Sequence, residues 1–397
     1  MNTILSESPQ KNISKVGVGS LIQIAATGPM EEIMKTKGSK NNEIPFMTST
    51  NRHTQFQTLP YELSFDNLPE FGKKCKCTIQ KMAPLLGKMY LEIYLPEFKD
   101  GSNWKPNVGF KMIKNVQIVY NENILQEYTT EAYKILMNLR TKFSKRHAFQ
   151  EMIGTIATRD SQTIYIPILF WESTYFPLIA LNYNLYINIE FAELNEVATI
   201  KTNNNQKFSC SLIVDYVYGL SDMELLKYKT IPLEYIVEEI HEYQEEITNT
   251  NMKIDLPFGR SVRALVISFL KDEGIKGIKR ILFPNVNSIK YLFSNNDKST
   301  RNVVLPTIPD YYNLIQPYYH SDYPSLDGIY ILSFALNYSL YEPNGTMNPS
   351  ELLQKTLDID VNKDLISSPH IPQYIHITAI SYNVAKFDNF SMSLVKY

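Results

Sequence analysis

Residues 165–191 read YIPILFWESTYFPLIALNYNLYINIEF. In the second half, Leu181, Tyr183, Leu185, Ile187, Ile189 and Phe191 alternate with Asn182, Asn184, Tyr186, Asn188 and Glu190. Successive side chains of a strand point to opposite faces, so this alternation predicts one long strand over 181–191 with a buried and a wetter face. Ahead of it, Tyr165–Trp171 is a second apolar run, and Glu172–Pro177 reads as a turn. Two such runs joined by a turn imply a large antiparallel β-sandwich.

The same grammar extends outward. Strand-like segments are expected at Phe56–Phe65, Cys75–Lys81, Met89–Leu95, Val116–Tyr120, Ser209–Tyr218, Leu233–Ile240, Ala264–Leu270, Ile329–Asn337 and Tyr374–Tyr382. Thr129 or Thr130 can cap a helix with Glu131 in its first turn, where a carboxylate suits the helix dipole. Ser221-Asp222-Met223-Glu224 is a capping box for a second short helix that stops before Pro232. Asn348-Pro349-Ser350-Glu351 starts a further helical turn. No regular alternation of strands and helices appears, so a parallel sheet is not expected.

The 397 residues suffice for two domains, each with its own core. Residues 1–18 read as a polar N-terminal arm, with order starting near Gly17–Ile24, and 35–44 as a Lys-, Gly- and Asn-rich loop. The Asn-rich 195–207 reads as a linker, which leaves 19–194 and 208–397 as two sandwiches. The 27 tyrosines and 12% aromatic content favour β-structure. With Lys+Arg 39 against Asp+Glu 41, the net charge of −2 lacks the basic excess of a dedicated nucleic-acid binder.

Signals for chemistry are weak. Cys75, Cys77 and Cys210 are too few and too unevenly spaced for a disulfide framework, and they suit a reducing compartment. None of His53, His147, His241, His320, His370 and His376 forms a metal-type pair. Gly17-Val18-Gly19 lacks the third glycine of a dinucleotide fingerprint, and Gly38-Ser39-Lys40 is not a phosphate loop. The acidic run Glu238, Glu239, Glu242, Glu245 and Glu246 reads as a solvated face, and Lys271, Lys276, Lys279 and Arg280 as a solvated loop. Sequons stand at Asn12, Asn337, Asn344 and Asn389. There is no signal-peptide run and no window of the ~18 apolar residues a membrane span needs. No catalytic residue, metal site or cofactor is expected.

A set of short motifs in order carries a resemblance over most of the chain. They are GSLIQIAA (19–26), NRHTQF (51–56), FGK (71–73), MYLE (89–92), PLIAL (177–181), INIEF (187–191), VDY (214–216), YNLIQPY (312–318), GIY (328–330), SFAL (333–336), PNGTMN (343–348) and YNV (382–384). Together they resemble the double jelly-roll major capsid proteins of nucleocytoplasmic large DNA viruses. Asn51 stands where that family's motif has a first Arg, and Arg260–Leu265 lacks its Pro. The resemblance implies an all-β fold of two consecutive eight-stranded jelly rolls. It also implies a structural virion protein: a homotrimer with pseudo-hexagonal outline, tiling an icosahedral shell assembled in host cytoplasm. The implied partners are neighbouring trimers, minor capsid and penton proteins and a nearby internal membrane, with no specific nucleic acid. Arg52, His53, Phe56, Pro177, Leu181, Asn188, Phe191, Asp215, Tyr216, Gln316, Pro317, Gly328, Gly345 and Asn383 are its motif positions, with structural roles. A minor capsid paralogue or a membrane-shaping scaffold fits the same motifs. A more distant alternative is a carbohydrate-binding sandwich that presents Tyr318, Tyr319 and Tyr323 around Asp322.

Overall fold

Strand pairing builds two sandwiches of identical order. The computed structural model describes residues 28–30, 53–172, 174–201, 206–272, 279–282, 286–295, 303–305, 308–323, 326, 328–362 and 373–395. The expected arm 1–18, the segment Gly17–Ile24, the loop 35–44, Asn12, Arg52, Lys276 and His370 lie outside the described residues. In the N-terminal unit, Met1–Thr54, only 28–30 and 53–54 are described. All that follows concerns Gln55–Tyr397.

The first sandwich contains β1 (Gln57–Leu63), β2 (Lys74–Ile79), β3 (Leu85–Leu95), β4 (Asn103–Trp104), β5 (Ile113–Tyr120) and β6 (Asn123–Thr129). It continues with β7 (Gln162–Pro167), β8 (Leu185–Phe191), β9 (Ala198–Thr199) and β10 (Ser209–Tyr218). One sheet runs β1-β10-β3-β7, the other β2-β8-β5-β6, and β4 pairs with β9.

The second sandwich contains β11 (Leu233–Glu246), β12 (Asn251–Asp255), β13 (Val262–Asp272), β14 (Lys279–Leu282), β15 (Val286–Asn295) and β16 (Val303–Val304). It ends with β17 (Tyr330–Ser333), β18 (Leu352–Val361), β19 (Gln373–Asp388) and β20 (Ser391–Leu394). Its sheets run β11-β19-β13 with β17 beside β13, and β12-β18-β15-β16, while β14 and β20 extend the first of these. If the eight main strands of each sandwich are counted along the chain, both have sheets 1-8-3-6 and 2-7-4-5. That is the jelly-roll order, all antiparallel.

Local signals account for the helices. Thr129 caps α1 (Thr130–Arg140), with its hydroxyl accepting from the Ala132 N–H and Glu131 in the first turn. Ser221 and Glu224 form the capping box of α2 (Asp222–Thr230). Asn348 caps the short turn Pro349–Glu351. The β6, β12, β15 and β18 strands were not evident in the sequence.

Two expectations need correction. The strand after Pro177 starts at Leu185, not Leu181; Leu178–Ala180 is a 3-10 turn. The Asn182 N–H donates to the Phe390 carbonyl at 2.7 Å, in the turn between β19 and β20, so 181–184 is docked on the second sandwich. The apolar alternation there meets two different surroundings, with Leu181 buried and Tyr183 exposed. The break placed at 195–207 also falls within the first sandwich. Its β9 pairs with β4, and β10 lies between β1 and β3, where Leu212, Val214 and Tyr216 are buried in the first core. The chain crosses to the second sandwich through Gly219 and α2. An Asn-rich, apolar-poor stretch marks a loop, not a boundary between cores.

Side-chain burial explains β13, VRALVISFLKD. Leu265, Ile267 and Phe269 lie in a core inside the second sandwich, while Ala264, Val266 and Leu270 join the core that spans the first. A strand buried on both faces reads as a continuous apolar run. The two sandwiches are therefore fused through a sheet that has no wet face there.

Candidate functional site

The surface that decides how this chain behaves is the buried interface between the sandwiches. At one end Trp171 and Phe176 meet Tyr235 and Phe387. The Trp171 ring lies 5.3 Å from Tyr235 and 5.9 Å from Phe387, and Phe176 lies 5.7 Å from Phe387, all in edge-to-face contact. Such pairs add about 0.5–1.5 kcal/mol each beyond area burial.

Next to this cluster lies α1. Tyr133 anchors it to the first sandwich, stacking on Tyr128 at 5.7 Å and donating its hydroxyl to the Pro167 carbonyl at 2.7 Å. Leu136, Leu139 and Arg140 line a cavity of about 130 Å³ together with Arg263, Tyr338 and Ile380 of the second sandwich.

Two glutamates of β11 hold the helix at both ends. At the N-terminus, the Glu242 carboxylate accepts from the Thr129 N–H at 2.9 Å, the Thr129 hydroxyl at 2.5 Å and His376 Nε2 at 2.9 Å. At the C-terminus, Arg140 pairs with Glu238, and with Glu172 at 3.0 Å. Glu238 also takes Arg263 Nη2 at 2.9 Å. Between them Glu239 holds Arg260, Asn383 Nδ2 (2.7 Å) and His241 (3.2 Å). Burial works to raise the acidity constants of Glu239 and Glu242. The bonds from His241, Asn383 and Arg260 on one, and from His376 and Thr129 on the other, outweigh it and hold both below the ordinary glutamate value.

The expectation that this acidic run is a solvated face is therefore wrong for Glu238, Glu239 and Glu242, which are largely buried and paired. The partners come from 21 to 144 residues away in sequence, so local charge counting does not find them. One signal existed. Glu238, Ile240 and Glu242 share a strand face, and a face that carries Ile240 is not an obvious water-facing one.

Ser268, His376 and Glu242 form a hydrogen-bonded series, with Ser268 Oγ 3.3 Å from His376 Nδ1. Its residue types match a nucleophile, base and orienting acid, but the geometry of catalysis also needs room for a substrate. Ser268 is fully buried and His376 nearly so, and neither lines any of the described cavities. The series tightens the interface between β11, β13 and β19.

The motif positions scatter through the fold. His53 and Phe56 are exposed; His53 Nδ1 is 2.8 Å from the Thr54 carbonyl, and the Phe56 ring lies 6.5 Å from Tyr175. Pro177, Leu181 and Phe191 are buried, and Asn188 is half-buried between Lys76 and Gln117. Tyr216 is buried and donates to the Gln80 carbonyl at 2.6 Å; burial holds the acidity constant of Asp215 above the ordinary range. Buried Gln316 donates to the Tyr311 hydroxyl and accepts from the Ser333 N–H, beside buried Pro317. Gly328 has φ +67°, and Asn383 bonds Glu239. Gly345 has φ +147°, and a Cβ there would stand 2.6 Å from the Phe334 carbonyl oxygen.

Tyr318 and Tyr319 are exposed, with their rings 5.1 Å apart and nearly perpendicular. They offer no flat stacking platform, and the Asp322 carboxylate is engaged by Asn337 Nδ2 at 3.1 Å. Cys75 and Cys77 point into the first core, and no group of three or more His, Cys, Asp or Glu among the described residues gathers as a metal site.

Comparisons with known proteins match both sandwiches. The family model described as "Major capsid protein N-terminus" covers residues 45–220, and "Large eukaryotic DNA virus major capsid protein" covers 224–393. The chain is 25% identical to the major capsid protein of Pyramimonas orientalis virus, across 93% of this chain and 96% of that protein. Among solved structures, the PBCV-1 virus capsid superposes with a TM-score of 0.74 at 17% identity, covering 89% of this chain and 99% of that one. The Faustovirus major capsid protein gives 0.68 at 10% identity, covering 92% and 96%. With a double jelly roll in the structure and the two matches meeting at α2, the chain belongs to the major capsid proteins of large eukaryotic DNA viruses, structural virion subunits and not enzymes.

Proposed function

We propose that the chain works as a homotrimer whose three pairs of sandwiches give a pseudo-hexagonal capsomer, and that such capsomers tile an icosahedral shell. The observation that carries this reading is the fusion of two sandwiches of identical strand order through a sheet buried on both faces. A rigid pair with two like halves supplies one third of a six-part ring, and closed symmetry is the common solution for identical subunits. The division between modules falls at Gly219–Ser221, and the motif residues act structurally. Minor capsid and penton proteins and an internal viral membrane are the further partners, with assembly in host cytoplasm. An obligate interface of this kind buries on the order of 2,000 Å² or more.

The test is the mass of the purified protein by light scattering after size exclusion. A stable species at three times 45.9 kDa is the expected result. A clean monomer at micromolar concentration overturns the reading.

A further inference from the structure

We propose that the helical run 311–320 of one copy docks on the outer face of the β1-β10-β3-β7 sheet of a second copy. This is the contact that α1 makes within one chain, repeated between chains. It rests on the trimer reading and assigns the surface that closes it.

The argument is internal repetition. In each sandwich the connection between the fifth and sixth main strands carries a helix. In the first this is α1, between β6 and β7; in the second it is Tyr311–Ile315 continuing into Gln316–His320, between β16 and β17. Pro317 has no N–H to close the ordinary turn, and the Gln316 N–H bonds the Tyr311 carbonyl one residue further back, so the run contains a π turn.

Each helix is pinned to its own sandwich by a buried tyrosine. Tyr133 stacks on Tyr128, and Tyr312 packs edge-on against Tyr291 at 5.4 Å. Two, three, six and seven residues after Tyr133 come Ile135, Leu136, Leu139 and Arg140. The first three are buried, and Leu136, Leu139 and Arg140 line the interface with the neighbouring sandwich. The same offsets from Tyr312 give Leu314, Ile315, Tyr318 and Tyr319, which are 52%, 45%, 79% and 72% exposed.

This stretch, YYNLIQPYYH, has no Lys, Arg, Asp or Glu. Two tyrosines about three-quarters exposed present on the order of 300 Å² of contact area, and the two aliphatic residues bring the patch to the size that marks interaction sites on single chains. The first sandwich has a neighbour on this helix, and the second has none in its own chain. Only another copy of the first sandwich completes the series.

The receiving surface follows from the same equivalence. Within the chain, α1 lies against the outer face of the second sandwich's β11-β19-β13 sheet. Its counterpart is the outer face of β1-β10-β3-β7. There Tyr90, Glu92 and Tyr94 alternate with buried Met89, Leu91 and Ile93, and Tyr165 lies 6.1 Å from Tyr90. A face of three tyrosines around one carboxylate suits an uncharged aromatic helix.

The test uses the full chain. Wild type and Tyr318→Ser/Tyr319→Ser are run by light scattering over a concentration series, with circular dichroism to confirm the fold. We expect the double variant to dissociate at concentrations on the order of 100-fold higher than wild type. If wild type is itself monomeric, the trimer reading fails and this assignment with it. If wild type is trimeric and the folded variant dissociates like it, the assignment alone is overturned. If the variant does not fold, benzoylphenylalanine at position 319 decides. Photo-crosslinks to β3, β7 or β10 of another copy support the assignment, and crosslinks to any other surface overturn it.

Discussion

Replacing Glu242 with Ala removes three hydrogen bonds at one point. The Thr129 N–H and hydroxyl lose their acceptor at the start of α1, and His376 Nε2 loses its partner inside the protein. Loss of a helix cap costs about 1 kcal/mol. A buried ring N–H left without an acceptor costs about 1–3 kcal/mol. The Thr129 hydroxyl still accepts from the Ala132 N–H, so part of the cap survives. The expected destabilisation is therefore about 2–4 kcal/mol, measured as the shift in guanidinium midpoint at fixed protein concentration with the slope unchanged. Glu242→Gln keeps one acceptor oxygen and should lose about half as much. The pH dependence supplies a second readout. Glu242 has a folded acidity constant below its unfolded one, so its contribution is present above the unfolded value of about 4.3 and is lost as pH falls through the folded value. Wild type should lose stability in that acid window more steeply than Glu242→Ala. A variant within 1 kcal/mol of wild type at pH 7, with the same acid profile, would refute the idea that this carboxylate ties the sandwiches together.

Arg263→Ala strips one of the two arginines from buried Glu238 and should cost about 3–5 kcal/mol, read by the same unfolding assay. Gly345→Ala should lower the melting temperature by several degrees, because φ +147° and the Phe334 carbonyl oxygen both reject a Cβ; Gly259→Ala, with nothing within 4 Å, should leave it within a degree or two. Burial raises the acidity constants of all three thiols, that of Cys77 to about 12, so native protein should show no fast reaction with a disulfide reagent at pH 8, and three thiols in denaturant. A fast-reacting native thiol would contradict that burial.

Sequence by itself determined the β class, the two-sandwich plan, most strands of the first sandwich and the helix starts at Thr129 and Ser221. These depend on period-two alternation and on capping groups within three residues of each other, which are local properties. Tertiary structure decided the rest. The alternation in 181–191 states which residues share a face, but not that Asn182 is claimed by the 389–390 turn, which delays the strand to Leu185. The three asparagines near 203–205 mark a loop, and only pairing with β1 and β3 assigns Ser209–Tyr218 to the first sandwich. Glu238 and Glu242 look like solvent-facing charges until Arg140, Arg263, Thr129 and His376 arrive from elements 25 to 134 residues away. A buried charge is set by the partners that surround it, and a chain reveals those partners only once its sheets have met.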